Sequence, residues 1–209
     1  MLFPKKCVLR KMCKYQIICY FNIYMWLRIF VAFFALYDAV YSSDSPCVCT
    51  TVPCPQIGEN NIIMGQGGAN ITYVYEEHNN IPVVTMGYGT IFPSSIHNGS
   101  DTTSCTRDYA RMLEDDGKDD CDAGHILANR LGGYGNEPLN IFPQLSTINQ
   151  GIYNQFEGKI YDCLLNSTMG YLEWTFLYAS YENTQPYQVS YYAKFEDSPC
   201  EPLYDEFPN

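Results

Sequence analysis

Three short segments hold the residues whose types and spacing could do chemistry: Asp122-Ala-Gly-His125, Asn140-Ile-Phe-Pro-Gln144 and Asn149-Gln-Gly-Ile-Tyr-Asn-Gln-Phe-Glu157. His125 follows Gly124, which lets backbone approach closely and leaves the imidazole clear of its neighbours. A neutral imidazole can take a proton from water near physiological pH, a contribution of typically ~10²–10⁴ in rate. Asn149 offers a neutral oxygen to a hard cation. Glu157, two helical turns further on, shares a broad helix face with Asn149 and Tyr153, where its carboxylate can orient metal-bound water. A base that aims water and a divalent ion that neutralises charge on a phosphate and its leaving oxygen suit phosphodiester hydrolysis, with no covalent intermediate. Singly, each signal has an ordinary structural explanation: a His in a Gly-rich loop, an Asn capping a helix. Only as a set do they point to a reaction.

These residues need a scaffold, and the hydrophobic pattern supplies one. From Thr147 to Leu165 the spacing is helical, with Ile148, Ile152, Phe156, Ile160 and Leu164 forming an apolar stripe and Ser146 or Thr147 as the expected cap. Ile71–Tyr75 and Ile81–Met86 are β-prone and joined by the turn-forming His78-Asn79-Asn80, which predicts a hairpin. Tyr171–Tyr178 and Tyr187–Phe195 read as two further strands linked through Asn183-Thr-Gln-Pro186, and most of the 19 tyrosines fill strands. Ser94 to Ser104 reads as a loop, and Thr106 to Leu113 as a short helix. The expected class is α+β, with an antiparallel sheet. Residues 43–60 form a Cys- and Pro-rich lead-in, and 61–209 form the folded domain.

The first 42 residues read as a secretory signal: a basic stretch, an apolar run from Ile29 to Tyr37, then small and polar residues before a cleavage expected after Ser42. Met25 opens a compact signal by itself and is a possible true start. The alternative is an uncleaved membrane anchor, opposed by Gln16, Asn22 and Arg28 within the apolar stretch. From Ser43 onward there are 6 basic and 22 acidic residues, a net of −16. No broad basic patch for nucleic acid is available, so phosphate chemistry would lean on a metal ion. That part of the chain holds seven cysteines, enough for up to three disulfides and one further thiol, with the pairing left open. Sequons at Asn70, Asn98 and Asn166 fit an exported glycoprotein. The acidic run Asp115–Asp120 lacks the ligand pattern of a calcium-binding loop and reads as solvated.

Asp122-x-Gly-His125, Asn140-x-x-Pro143-Gln144 and Asn149-Gln-Gly-x-Tyr-x-x-Phe-Glu157 together resemble the signature of the DNA/RNA non-specific endonucleases, the ββα-metal nucleases. The resemblance implies a ββα-metal motif in which the His125 segment and Asn140–Phe142 form two strands and the Thr147–Leu165 segment the helix, in a domain that the cysteine count makes disulfide-stabilised. It implies His125 as general base, Asn149 as ligand of Mg2+ or another divalent ion such as Mn2+, and Glu157 as support for metal-bound water. Asp122 would orient the His-bearing strand, with Arg130, Gln144 and Asn140 on the substrate side, holding the site. The substrate would be DNA, RNA or both, cut to 5′-phosphorylated fragments. Ala123 stands where the best-known members have Arg, and Arg130 is the candidate replacement. Two other classes stay open: a catalytically silent secreted interaction module with the same fold, and a Cys-rich surface protein held by its N-terminus.

Overall fold

The computed structural model describes residues 55–114 and 121–209. The signal-like segment, the Cys47–Cys54 cluster and the acidic run Asp115–Asp120 lie outside the described residues. The main sheet has six strands in the order β1-β2-β3-β6-β7-β8, every neighbouring pair antiparallel. These are β1 Gly58–Met64, β2 Ala69–His78, β3 Ile81–Ile91, β6 Met169–Leu177, β7 Gln188–Glu196 and β8 Leu203–Pro208. Between β3 and β6 the chain makes α1, Ser104–Met112, and a separate two-stranded ribbon of β4, Cys121–His125, and β5, Ile141–Leu145. A helical segment, ending in α2 at Asn154–Leu164, then leads into β6.

Period-two alternation gives the sheet one apolar face. Ile71, Tyr73 and Tyr75 on β2, Leu172, Trp174 and Phe176 on β6, and Val189, Tyr191 and Ala193 on β7 are all buried. Against them pack Tyr153, Phe156, Ile160 and Leu164 of the helical segment, with Phe142 from the ribbon and Leu127 and Leu131 from the connection between its two strands. Aromatic edges fill the layer: Tyr153 meets Phe207 with ring centroids 4.8 Å apart, and Trp174 meets Tyr191 at 4.8 Å. The hairpin expected at His78-Asn79-Asn80 forms, with positive φ at both Asn79 (49°) and Asn80 (60°), the conformation that Asn tolerates best after Gly.

Three features differ from the sequence reading. β1 begins at Gly58 and crosses the boundary placed between a lead-in ending at residue 60 and the domain. β8 went unpredicted because Leu-Tyr-Asp-Glu-Phe-Pro shows no clean alternation; it is an edge strand with only Phe207 fully buried. The helix expected over Thr147–Leu165 is not continuous. A short α turn, Ser146–Ile148, passes into a π turn, Asn149–Tyr153, kinked at Gly151 (φ −103°, ψ −111°), and only then does α2 begin. The wider turn shifts the helical phase, so Ile152 is 47% exposed and Tyr153 takes the buried place. Neither Ser146 nor Thr147 caps the segment, and the Ser146 hydroxyl bonds to Asp122 instead.

Cys163, in the last turn of α2, is disulfide-bonded to Cys200 in the β7–β8 connection, across a separation of 37 residues. The bridge ties the helix end to the sheet, and Cys105 at the start of α1 is also disulfide-bonded. Among the described residues no helix is long and apolar enough to cross a membrane. Replacing Cys163 and Cys200 together by Ser is expected to destabilise the fold by roughly 4 kcal/mol, the loop-closure value for such a span. Urea unfolding of the variant beside the parent measures it.

Candidate active site

The ribbon sets the register of the chemistry. β4 and β5 pair with Asp122 opposite Gln144, Gly124 opposite Phe142 and His125 opposite Ile141. Gly124 is obligatory, because a Cβ there would lie 2.4 Å from Gln144 Oε1. Gln144 is fully buried and its amide finds no hydrogen-bond partner, so it fills the space over Gly124 and does not face substrate. Asn140 is fully buried too. It lies in the turn Pro138–Asn140 just before β5, where its Oδ1 accepts from Leu127 N at 2.8 Å and from the Tyr73 hydroxyl. Its Nδ2 donates to the carbonyls of Leu127 at 3.0 Å and Tyr134 at 3.3 Å. Asn140 and Gln144, expected from sequence on the substrate side, are thus both buried: Asn140 holds the loop that follows His125, and Gln144 packs over Gly124.

His125 ends β4, and its Nε2 lies 3.1 Å from the carbonyl oxygen of Ser100. A carbonyl only accepts, so Nε2 carries the proton and Nδ1 carries the lone pair. The same carbonyl accepts from Gly135 N at 3.0 Å. Gly135 has to be glycine, since a Cβ would come within 2.6 Å of His125 Nε2. Burial lowers the His125 pKa below its ordinary value, against the opposing pull of the Ser100 carbonyl and Asp101. The imidazole is thus held neutral near pH 7, the form a base needs.

Asp122 gathers the start of the helical segment. Its carboxylate accepts from Ser146 Oγ at 3.0 Å, Asn149 Nδ2 at 2.9 Å and Gln150 Nε2 at 2.9 Å. Partial burial raises its pKa, but the bonds from Asn149, Gln150 and Ser146 outweigh that and hold it below the ordinary value. With Nδ2 of Asn149 committed to Asp122, Oδ1 is the atom left to bind something else. His125 bonds to neither residue, so ribbon and helical segment present two separate polar groups, an imidazole and an Asp-held amide.

Glu157 lies in the first turn of α2 and is buried. Burial pushes its pKa up to about 8, countered in part by the Arg130 guanidinium. Arg130, exposed in the turn Asn129–Leu131, donates through Nη2 to Asn154 Oδ1 at the start of α2. Among the described residues no group of three or more His, Cys, Asp and Glu side chains forms a metal cage. A single neutral amide oxygen, held in place by the Asp122 carboxylate, suits a hard cation that keeps most of its water, as Mg2+ does. The residues present fit such an ion, with Asn149 Oδ1 to hold it.

The DNA/RNA non-specific endonuclease profile matches residues 72–195, more than half of the chain, and spans every element of this site. The chain belongs to that family. The probable deoxyribonuclease RhsA of Dickeya dadantii is 40% identical over 102 residues, a match that covers 49% of this chain and 7% of that much longer protein. In solved structures, NucA from Streptococcus agalactiae with magnesium bound aligns at 14% identity and a TM-score of 0.47, over 77% of this chain and 85% of NucA. EndoG in its complex with EndoGI aligns at 12% identity and a TM-score of 0.49, over 75% and 76%.

Within this endonuclease-family chain, sequence reasoning missed Ser100, Asp101 and Gly135, which surround His125. Asn98-Gly-Ser100 reads as a glycosylation sequon within the Ser94–Ser104 loop, and nothing local marks a backbone carbonyl as a partner. Glu157 gives a direct test of its burial. A carboxyl whose pKa rises from about 4.5 unfolded to about 8 folded favours the fold fully below the lower value, and the benefit is lost as pH rises through the upper one. Metal-free protein is therefore expected to lose on the order of a few kcal/mol of stability between pH 5 and 8. The Glu157→Gln variant should show a nearly flat profile by denaturant titration across that range.

Proposed function

We propose that this chain is a secreted, metal-dependent endonuclease that hydrolyses phosphodiester bonds of DNA, RNA or both, with His125 activating water and a single Mg2+ or similar divalent ion held at Asn149. The observation that carries the reading is the Ser100 carbonyl on His125 Nε2, which leaves Nδ1 as a base on a partly buried, neutral imidazole. Nδ1 takes a proton from water as the water oxygen bonds to phosphorus. The bond to the 3′-oxygen breaks and that oxygen takes a proton from solvent, giving a 5′-phosphate on one fragment and a 3′-hydroxyl on the other. Asp122 fixes the Asn149 amide so that Oδ1 stays turned to the ion. When bound, the ion neutralises charge on the phosphate and the departing oxygen. Glu157, buried in the first turn of α2, would orient water on such an ion, and Arg130 would supply the substrate-binding charge that Ala123 cannot.

The family description names both DNA and RNA, and the RhsA relative is described as a probable deoxyribonuclease. Secretion is supported by the signal-like N-terminus, the Cys163–Cys200 disulfide and the exposure of Asn70 and Asn166. With a net charge of −16 after Ser43, counterion release contributes little, so substrate binding should be weak without a divalent ion.

Supercoiled plasmid and RNA incubated with the secreted protein test this. Cutting is expected with Mg2+, to stop in EDTA, and to fall at least ~100-fold in both His125→Ala and Asn149→Ala. Folded wild-type protein that cuts neither substrate with Mg2+ or Mn2+ would overturn the reading in favour of a silent interaction module.

A further inference from the structure

A second polar surface lies one short strap away from His125. An open cavity of about 360 Å³ is lined by His97, Asn129 and Arg130. His97 has an exposed side chain and a left-handed backbone, with φ 61°, which His tolerates better than most residues. Its backbone N–H donates to the Arg130 carbonyl at 3.1 Å, setting the two residues side by side. Its Nε2 lies 3.1 Å from the Tyr161 hydroxyl, and the two rings stand 5.5 Å apart. The Tyr161 contact leaves Nδ1 as the ring nitrogen available to a ligand. Arg130 reaches along the same side of α2: Nη2 bonds Asn154, and Nη1 would lie 3.5 Å from a Cβ at Gly158. Asn154, Gly158 and Tyr161, at helical spacing on α2, thus back the two side chains that line the cavity.

The strap limits how far His97 lies from the residue that holds His125. His97 is three residues before Ser100, whose carbonyl holds His125, so their backbones are at most about 10 Å apart. That is a separation of a few nucleotide steps, at about 3.4 Å of rise each. The strap is also locked: Ser100 N donates to the Gly133 carbonyl at 3.1 Å, and Asn129 Nδ2 to Asp101 Oδ1 at 2.7 Å. An imidazole and a guanidinium, both oriented by protein contacts and both open to one cavity, suit an anionic diester with two acceptor oxygens.

We infer that His97 and Arg130 form a subsite for a phosphodiester neighbouring the one that is cut, with His97 as a binding residue oriented by Tyr161. The inference rests on the endonuclease reading and extends it to polymer recognition. In a chain so poor in bases, this subsite gives the strand a local anchor that its overall charge denies it.

The test compares two substrates with Mg2+ present: plasmid DNA, which has neighbouring phosphates, and bis(p-nitrophenyl) phosphate, a lone diester. In His97→Asn, which keeps a residue suited to positive φ, KM for plasmid should rise about tenfold while kcat holds. Hydrolysis of the lone diester should be unchanged, which also shows that the variant is folded. Tyr161→Phe should raise plasmid KM in the same sense by a smaller factor. An unchanged plasmid KM in His97→Asn, or an equal loss on both substrates, would overturn the subsite while leaving the nuclease reading intact. Wild-type protein inert on both substrates would overturn the nuclease reading and the subsite with it.

Discussion

The Ser100 carbonyl accepts from two donors, His125 Nε2 and Gly135 N, and the site depends on that shared oxygen. It decides which imidazole nitrogen is basic, and it binds three segments that are far apart in sequence. One is the strap from His97 to Asp101, another is the end of β4, and the third is the glycine loop before β5. The strap is held from its far side by α1, whose cap residue Thr103 and first-turn residue Thr106 satisfy one another's backbone N–H groups. Thr106 also donates to the Gly135 carbonyl at 2.7 Å. Helix capping, loop closure and the tautomer of one histidine are therefore parts of a single arrangement.

The six-stranded sheet serves this arrangement as a platform. Its inner face, dominated by Tyr73, Trp174 and Tyr191, buries α2 and receives Asn140 through the Tyr73 hydroxyl. Asn140 in turn bonds both backbone groups of Leu127, two residues after His125, so the loop beyond the base is set from within the core. Asn209 braces the other strand of the ribbon: its Oδ1 accepts from Leu145 N and its Nδ2 donates to the carbonyls of Pro143 and Pro186. A ribbon of two short strands is marginal alone, and these contacts give it the rigidity a positioned base requires.

Much of this was legible in the sequence. Alternation located β2, β3, β6 and β7, and helical spacing located α2, because each buries one face against the same layer. The motif residues were found by type, and β4 pairs with β5 as the resemblance implied. What failed to show has a physical cause in each case. A π turn at Asn149–Tyr153 inserts itself into a pattern that also fits a straight helix, so Ile152 and Tyr153 exchanged places. The edge strands β1 and β8 carry too little burial to impose a period. Asn140 and Gln144 look like surface groups by type, and only the core packing shows that they point inward. The carbonyl of Ser100 has no side-chain signature at all.

The central claim is that His125 is a neutral base with its proton on Nε2 and its lone pair on Nδ1. The most direct measurement is the ¹⁵N chemical shifts of the His125 ring in selectively labelled protein, recorded from pH 5 to 8. The account predicts a protonated Nε2 and an unprotonated Nδ1 at pH 7, with conversion to imidazolium at a midpoint below 6.5, the ordinary value for His. A proton on Nδ1 at pH 7, or an imidazolium persisting there, would contradict it.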